Sequence, residues 1–145
     1  MNKIVERYLE SLSEEERKNT YVSRYAFGYE EEMQDSLAQL VLKGDKRATA
    51  SLYCLYDLEN ERLPQVGDIN IILDSREEEI CVTVNTAVYR KPFKDIGEEF
   101  AFREGEGDKS LKYWRDAHIK FFMEETGGKF TEDMEVVCEE FELLR

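Results

Sequence analysis

Three stretches of the chain place apolar residues three or four positions apart, which is the spacing of one face of an α-helix. They are residues 2–18, 29–43 and 109–126. Within the first, Ser13 and Glu16 have the spacing of a capping box, in which a serine and a glutamate close the start of a helix reciprocally. The pattern therefore predicts three helices, with a break and restart near position 13 of the first.

Other stretches alternate apolar and polar residues with the period of two that is typical of β-strands. They are residues 48–58, 69–74, 79–90 and 134–144. The last stretch changes the parity of its apolar positions near residues 139–140, which predicts a bulge there or burial on both faces. Residues 19–28 follow neither period, and we expect them to be irregular.

The order of these elements predicts the fold class. Strands separated by irregular loops, with helices before and after them, are typical of an α+β domain. We expect a small, largely antiparallel β-barrel flanked by helices. The length of 145 residues suits one such domain.

The charge of the chain narrows the classes of partner. The sequence has 20 Lys and Arg against 33 Asp and Glu, a formal net charge of -13. This balance opposes non-specific adhesion to nucleic acid, although a local basic cleft remains compatible with it. No apolar run approaches the ~20 residues of a membrane span, and the start MNKIVERYLE does not resemble a signal peptide. We expect a soluble, cytoplasmic protein without a membrane partner.

The potential metal ligands are few. Three cysteines, at positions 54, 81 and 138, and the single His118 have none of the short spacings that zinc sites use. Each cysteine also lies in a predicted strand, where a small buried thiol is the common explanation. The sequence therefore predicts no metal site of this kind and no resident cofactor.

Residues 43–51 form the first candidate site. The segment KGDKRATAS brings two lysines and an arginine next to two hydroxyl groups at the start of a predicted strand. Such a group suits a phosphate or a polarised carbonyl. The structural alternative is a solvated turn followed by half-exposed strand hydroxyls.

The second candidate site is formed by residues 100–115, FAFREGEGDKSLKYWR. Glu104 and Glu106 are separated by one glycine in a predicted turn, where carboxylates serve as general bases or metal ligands. The alternative is that the glycines form the turn and that Asp108 or Ser110 caps the following helix.

Four segments carry a resemblance to a known family: VLKGDKRATAS, LPQVGD, FAFREGEGDKSLKYWRDAH and EVVCEEFELL. Together they resemble the ASCH domain family, whose members are similar to PUA domains, the compact β-barrels associated with RNA. The resemblance implies a single domain over residues 1–145, with residues 1–26 as an N-terminal helical extension and 27–145 as the barrel core. It also implies binding of RNA or a nucleoside in a cleft beside the barrel.

One branch of that family is similar to an amidohydrolase that removes the acetyl group from acetylated cytidine. Its lysine, threonine and glutamate match Lys46, Thr49 and Glu104 of this chain. In that interpretation Lys46 is a base whose pKa is lowered by burial, Thr49 is the nucleophile, and Glu104 orients water or protonates the leaving amine. Ligand contacts are predicted for six further residues: Lys43, Arg47, Ser51, Arg103, Ser110 and Arg115.

Other functions remain open at this point. Some relatives resemble metal-assisted ribonucleases, which would recruit a divalent metal and use the lysines on phosphate. A non-catalytic RNA-binding module is another alternative, and a protein-interaction domain that uses the acidic surface is a third.

Overall fold

The computed structural model describes residues 2–145 as six α-helices and a five-stranded sheet. The helices are α1 (Lys3–Glu10), α2 (Glu14–Lys18), α3 (Glu31–Lys43), α4 (Tyr53–Glu59), α5 (Glu98–Glu104) and α6 (Leu111–Glu125). The strands are β1 (Val22–Tyr25), β2 (Ala48–Leu52), β3 (Ile69–Leu73), β4 (Glu79–Pro92) and β5 (Glu135–Leu144), and a 3-10 turn (Phe93–Asp95) follows β4. No helix in the described part of the chain is both long and apolar enough to cross a bilayer.

The sheet is largely antiparallel and open. Its strand order is β1-β3-β4-β5-β2, and only the edge strand β1 runs parallel to its neighbour. Both edge strands contribute side chains to one cavity, Ser23 and Tyr25 from β1 and Thr49 and Ser51 from β2. The sheet therefore curls around that cavity, but no ladder within residues 2–145 pairs β1 with β2. The predicted α+β class is confirmed, whereas the sheet does not close into the expected barrel.

The helices predicted from periodicity are present. The first stretch breaks as predicted, because Ser13 accepts from the Glu16 backbone while the Glu16 carboxylate accepts from the Ser13 backbone. The stretch before Gly44 forms α3, and Gly44 adopts a φ of 86°, a left-handed conformation that glycine accepts readily. In α6 the Ser110 hydroxyl accepts from the backbone N–H of Tyr113 and caps the helix.

Three segments differ from the prediction. The strand expected over residues 48–58 ends at Leu52, and the chain continues as α4, because Cys54 and Leu55 contact the same core as Leu52. Part of the segment expected to be irregular is β1, which pairs with β3 and is too short to show a period. Helix α5 was not predicted, since its apolar residues Phe100 and Ala101 are adjacent and give no helical repeat.

Strand β5 is buried on both faces. Val136, Val137, Cys138 and Glu139 are all buried, and this explains the change of parity along the strand. The irregular register lies in the neighbouring strand, between Asn85 and Ala87 of β4. One face of β5 packs on the helices, and the other faces the cavity.

An aromatic core holds the helices that deliver the site. Phe93 stacks on Trp114 of α6 with 5.1 Å between ring centroids, and Phe100 of α5 meets the same indole edge-on at 6.0 Å. Buried Val136 and Cys138 of β5 contact this cluster from the sheet. Burial of large aromatic side chains contributes about 1.5–3 kcal/mol each. The cluster therefore fixes α5 and α6 against the sheet.

Candidate functional site

The inner face of the curled sheet, the loop before α3 and one side of α6 enclose a cavity of about 690 Å³. This volume lies within the range of small-molecule sites in proteins. Aromatic rings line much of its wall: Tyr21, Tyr25, Phe27, Tyr29, Tyr56 and Phe121. Two groups of polar side chains stand out in it, an ionic cluster around Lys46 and a row of polar side chains on the sheet.

Lys46 is the centre of the ionic cluster and is 2% exposed. Its Nζ donates to the carbonyl oxygen of Ala48 at 2.9 Å, to Glu104 at 2.6 Å and to Glu106 at 3.0 Å. The three N–H groups of the Lys46 ammonium thus each have an acceptor, so its hydrogen-bonding capacity is fully used. Burial by itself lowers the pKa of the amine, but the carboxylates of Glu104 and Glu106 outweigh it and raise that pKa above its usual value.

Glu104 is 1% exposed and accepts from three donors. Besides Lys46, the indole Nε1 of Trp114 lies 3.1 Å and the Nε2 of His118 lies 3.2 Å from its Oε1. Burial favours the neutral acid, yet the charges of Lys46 and His118 hold the pKa of Glu104 well below its usual range. Glu104 is therefore a permanent carboxylate with no proton to donate.

His118 completes the cluster as a cation. Its Nδ1 lies 2.8 Å from the carbonyl oxygen of Trp114, so this nitrogen must donate a proton. Its other nitrogen faces the carboxylate of Glu104, and its ring stacks on the indole of Trp114 at 4.3 Å. Burial lowers the pKa of the imidazole, but Glu104 more than offsets this and the pKa is raised.

Gly105 lets the chain present two carboxylates to one lysine. It ends α5 with a φ of 72°, and a methyl group at this position would lie 2.1 Å from the backbone oxygen of Asp45. Glu104 and Glu106 leave this turn toward Lys46. Burial and the nearby charge of Glu104 raise the pKa of Glu106, whose side chain is 21% exposed. Glu106 is therefore the carboxyl group of the cluster that can most easily take up a proton or be displaced by a ligand.

A row of polar side chains crosses the inner face of the sheet, and we call it the polar ladder. Ser23 donates to Asn70 at 3.0 Å, Asn70 donates to Thr83 at 3.2 Å and to Asn85 at 3.0 Å, and Asn85 donates to Glu139 at 3.1 Å. The ladder thus links β1, β3, β4 and β5. On β2, Thr49 is the register partner of Glu139, so their side chains lie on the same face.

The structure brings four of the predicted site residues into the cavity: Lys46, Thr49, Ser51 and Glu104. The Ser51 hydroxyl shares a hydrogen bond of 2.7 Å with the Tyr56 hydroxyl.

The other five lie outside the cavity lining. Lys43 and Arg47 are exposed, Arg103 pairs with Glu99 and Glu140, Ser110 caps α6, and Arg115 pairs with Glu132. The guanidinium groups of Arg103 and Arg115 are thus paired with acids outside the cavity lining.

The structure does not give Lys46 the lowered pKa that its predicted role as a base assumes, since Glu104 and Glu106 raise that pKa, and the role itself stays a prediction. A base needs a free lone pair, whereas all three Nζ protons are present and bound. Glu104 was predicted to orient water or to protonate the leaving amine; its lowered pKa favours the first role, and both stay predictions. The nucleophilic role of Thr49 stays a prediction.

Glu104, Glu106 and His118 also form a potential metal-ligand group, with ligand atoms within 4.8 Å of one another. The Lys46 ammonium, however, contacts both carboxylates. A divalent cation bound by these residues would lie next to the buried charge of Lys46 and be repelled by it. The residues therefore fit an internal ion cluster better than a metal centre.

Sequence reasoning missed Glu139 and the amides that hold it. The signal was present, because Asn70 and Asn85 interrupt strands that are otherwise rich in valine and isoleucine. A polar residue that is buried in a strand needs a partner, and such residues often mark a site. His118 was considered as a zinc ligand and was not assigned to the site, because its partner Glu104 belongs to another helix and is not a neighbour along the chain.

Comparisons with known proteins agree with this architecture. The family model described as ASCH domain matches residues 23–145. An ASCH domain structure from Lactobacillus crispatus is similar with a TM-score of 0.85 and 37% identity, over 97% of this chain and 91% of that chain. A protein structure from Enterococcus faecalis is similar with a TM-score of 0.78 and 36% identity, over 84% of this chain and 76% of that chain. No curated protein matches the chain. With a family model that spans most of its length, the chain belongs to the ASCH domain family.

Proposed function

We propose that the cavity binds one nucleoside-like molecule. The observation that carries this proposal is a cavity of about 690 Å³ that combines aromatic walls with a polar floor. Nucleobases stack on aromatic rings and present hydrogen-bonding edges to polar side chains. The cavity offers both kinds of contact, with Tyr25, Phe27 and Tyr56 on the wall and Thr49 and Glu139 on the sheet.

The charge of the cavity favours a nucleoside over a phosphate backbone. Six carboxyl groups line it: Glu61, Asp68, Glu104, Glu106, Glu125 and Glu139. Of the cations, Lys46 and His118 contact Glu104, and Arg62 forms two hydrogen bonds with Asp68, at 2.8 and 3.0 Å. Phosphates would find little uncommitted positive charge there. An RNA partner would place one unstacked base in the cavity and keep its phosphates outside.

Binding is tested by isothermal titration of the purified protein with cytidine, N4-acetylcytidine, uridine and a short single-stranded RNA. We expect a nucleoside to bind with one site per chain and with little salt dependence, since few phosphate contacts form. Binding of RNA alone, with a steep salt dependence, would contradict the nucleoside proposal and favour a basic surface outside the cavity.

A second candidate function is hydrolysis of an amide on that nucleoside. It is favoured by Glu106, a carboxyl with a raised pKa beside a buried ammonium. In this scheme the substrate carbonyl oxygen replaces Glu106 as a hydrogen-bond acceptor of Lys46. Glu106 then takes a proton from water while the water oxygen adds to the carbonyl carbon, and the Lys46 ammonium stabilises the negative oxygen. The proton passes to the leaving nitrogen as the C–N bond breaks, which yields a carboxylic acid and the amine.

Hydrolysis is tested with N4-acetylcytidine by following acetate and cytidine in a chromatographic assay. We expect Glu106→Gln to lower kcat about 100-fold or more, the usual contribution of acid–base catalysis, while nucleoside affinity is retained. Glu98→Gln, an exposed residue at the start of α5, is the matched control and should behave as wild type. Unaltered substrate after prolonged incubation with the wild-type protein would reduce the function to binding alone.

A further inference from the structure

Glu139 differs from the other deeply buried acids of the cavity. Glu104 lies 2.6 Å from Lys46, and Asp68 lies 2.8 Å from Arg62, but Glu139 forms no ion pair within residues 2–145. It is nevertheless only 8% exposed. An ionisable group in such a position, without an opposite charge, is expensive for the fold and commonly marks a functional role.

The polar ladder fixes the orientation of this carboxyl group. Asn70 donates to the Oδ1 of Asn85, so the Nδ2 of Asn85 must face outward and donate to the Oε1 of Glu139. The chain of amides begins at the Ser23 hydroxyl, at the opposite edge of the sheet. Since each amide is held by the one before it, Glu139 cannot rotate without breaking a buried hydrogen bond.

The second oxygen of the carboxyl group remains available. No residue in the described chain donates to the Oε2 of Glu139, and the residue lines the cavity beside its cross-strand partner Thr49. A carboxylate is an acceptor only, with several lone pairs on each oxygen. The ladder thus presents one oriented, unused acceptor to whatever occupies the cavity.

We propose that Glu139 is the specificity-determining residue of the cavity and that its Oε2 accepts a hydrogen bond from an N–H group on the edge of a nucleobase. Asn85 and Asn70 are positioning residues for it. The ligand class is a base with an exocyclic amino or amide N–H, because a base edge made only of acceptors would repel the carboxylate. This inference rests on the proposed nucleoside binding and assigns its recognition to one atom.

The electrostatic surroundings make this contact dependent on pH. Burial raises the pKa of Glu139 to about 7, with Asp68 and Glu104 adding to the rise and Asn85 and Lys46 opposing it. Six ionisable groups interact with it: Tyr25, Lys46, Tyr56, Asp68, Glu104 and its chain neighbour Cys138. A ligand N–H binds the carboxylate, so binding must release the proton that Glu139 holds below this pKa.

The test measures the affinity for cytidine from pH 5.5 to 8.5 by calorimetry. If binding requires the carboxylate and its pKa is about 7, the wild-type protein should bind about 30-fold more weakly at pH 5.5 than at pH 8.5. Glu139→Gln should bind about tenfold or more weaker than wild type at pH 8.5, which is the loss of one charge-assisted hydrogen bond. It should also lose the step near pH 7. Glu142→Gln, an exposed residue on the same strand, is the matched control.

Proton release provides a second measurement that needs no variant. Titration of wild-type protein at pH 6 in buffers of different ionisation enthalpy should show close to one proton released for each cytidine bound. Wild-type affinity and an unchanged pH step in Glu139→Gln, or no proton release from the wild type, would overturn the role of Glu139 and leave nucleoside binding intact. Absence of all nucleoside binding by the wild type would instead overturn the proposed function, and this inference with it.

Discussion

Glu104 and Glu139 both line the cavity, and both are almost completely buried. Their surroundings nevertheless shift the pKa values of the two carboxyl groups in opposite directions. The pKa of Glu104 is held well below its usual range, whereas that of Glu139 is raised to about 7. Burial by itself raises the pKa of both groups. The difference comes from their partners, since Glu104 contacts Lys46 and His118 and Glu139 accepts from the neutral amide of Asn85.

This comparison separates a carboxylate that is paired with cations from one that has no cationic partner. The carboxylate of Glu104 accepts from three neighbours, and two of them, Lys46 and His118, are basic groups. This ionic cluster holds α5, α6 and the start of β2 together. Glu139 has an unused oxygen and a pKa near neutrality, which leaves it free to respond to a ligand. Variants of the two groups should therefore behave differently.

The largest expected effect is on the ionic cluster. Glu104→Gln removes one of the two carboxylates that pair with the buried Lys46 and leaves His118 without the only acid it contacts among the described residues. We expect the free energy of unfolding at pH 7 to fall by about 3–5 kcal/mol, as for other buried ion pairs that lose one partner. Urea denaturation followed by circular dichroism measures it.

Two further observations sharpen that test. Because the pKa of Glu104 is lowered by folding, the loss should shrink at acidic pH, where wild type also loses this contribution. The exposed Glu99→Gln on the same helix should change stability by less than about 0.5 kcal/mol. Equal effects of the two variants would mean that the cluster contributes no more than a surface pair.

Glu139→Gln should increase the free energy of unfolding, and the size of this increase should depend on pH. The unfolded chain releases this proton near pH 4.5 and the native protein only near pH 7, so native wild type binds the extra proton between these values. Wild-type stability therefore falls across this window, by up to about 3 kcal/mol, and stays low above it. Glutamine does not ionise, so the variant should gain stability relative to wild type as the pH rises from 5 to 8. A difference that is constant with pH would contradict the raised pKa.

Asn85→Ala should have an intermediate effect. It leaves the Glu139 carboxyl and the Asn70 amide without their buried partner, which costs about 1–3 kcal/mol. The same change removes the hydrogen bond that lowers the pKa of Glu139, so that pKa should rise further. NMR titration of the Glu139 side-chain carbon measures this rise. A pKa that moves down would show that Asn85 does not hold the carboxylate form.

The smallest effect is expected at an exposed pair. Lys112 and Asp116 lie 2.7 Å apart, one helical turn from each other on the outer face of α6. Lys112→Met should change the free energy of unfolding by no more than about 0.5 kcal/mol, because solvent screens both charges. Thermal unfolding at low and high salt provides the measurement, and a loss of several kcal/mol would contradict the contrast between buried and exposed pairs.

Much of the fold could be predicted because local chemistry specifies it. Ser13 and Glu16 define a helix start by their own spacing, and Gly44 ends α3 for a reason that acts within one turn. The errors occur where tertiary contacts decide. Residues 53–59 have an alternating pattern but fold as α4, since Cys54 and Leu55 reach the core shared by β2, α5 and α6.

The site was predictable only in part. The pattern around Lys46, Thr49 and Glu104 led to residues that do line one cavity. It did not predict their protonation states, because these depend on Trp114, His118 and Glu106, which approach from other elements. The same lysine in the same sequence can be a neutral base or a fully hydrogen-bonded ammonium group. Which of the two it is depends on the acceptors that surround it in the folded protein.

The sequence by itself determined the α+β class, the main helix boundaries, the family and the acidic balance of the chain, because these depend on composition and on neighbours within a few residues. Only the tertiary structure decided that the sheet stays open around a cavity, that Lys46 is a bound cation and that Glu139 keeps an unused oxygen. The physical reason is that burial and charge pairing act through space, and the partners of each buried group lie tens of residues apart along the chain.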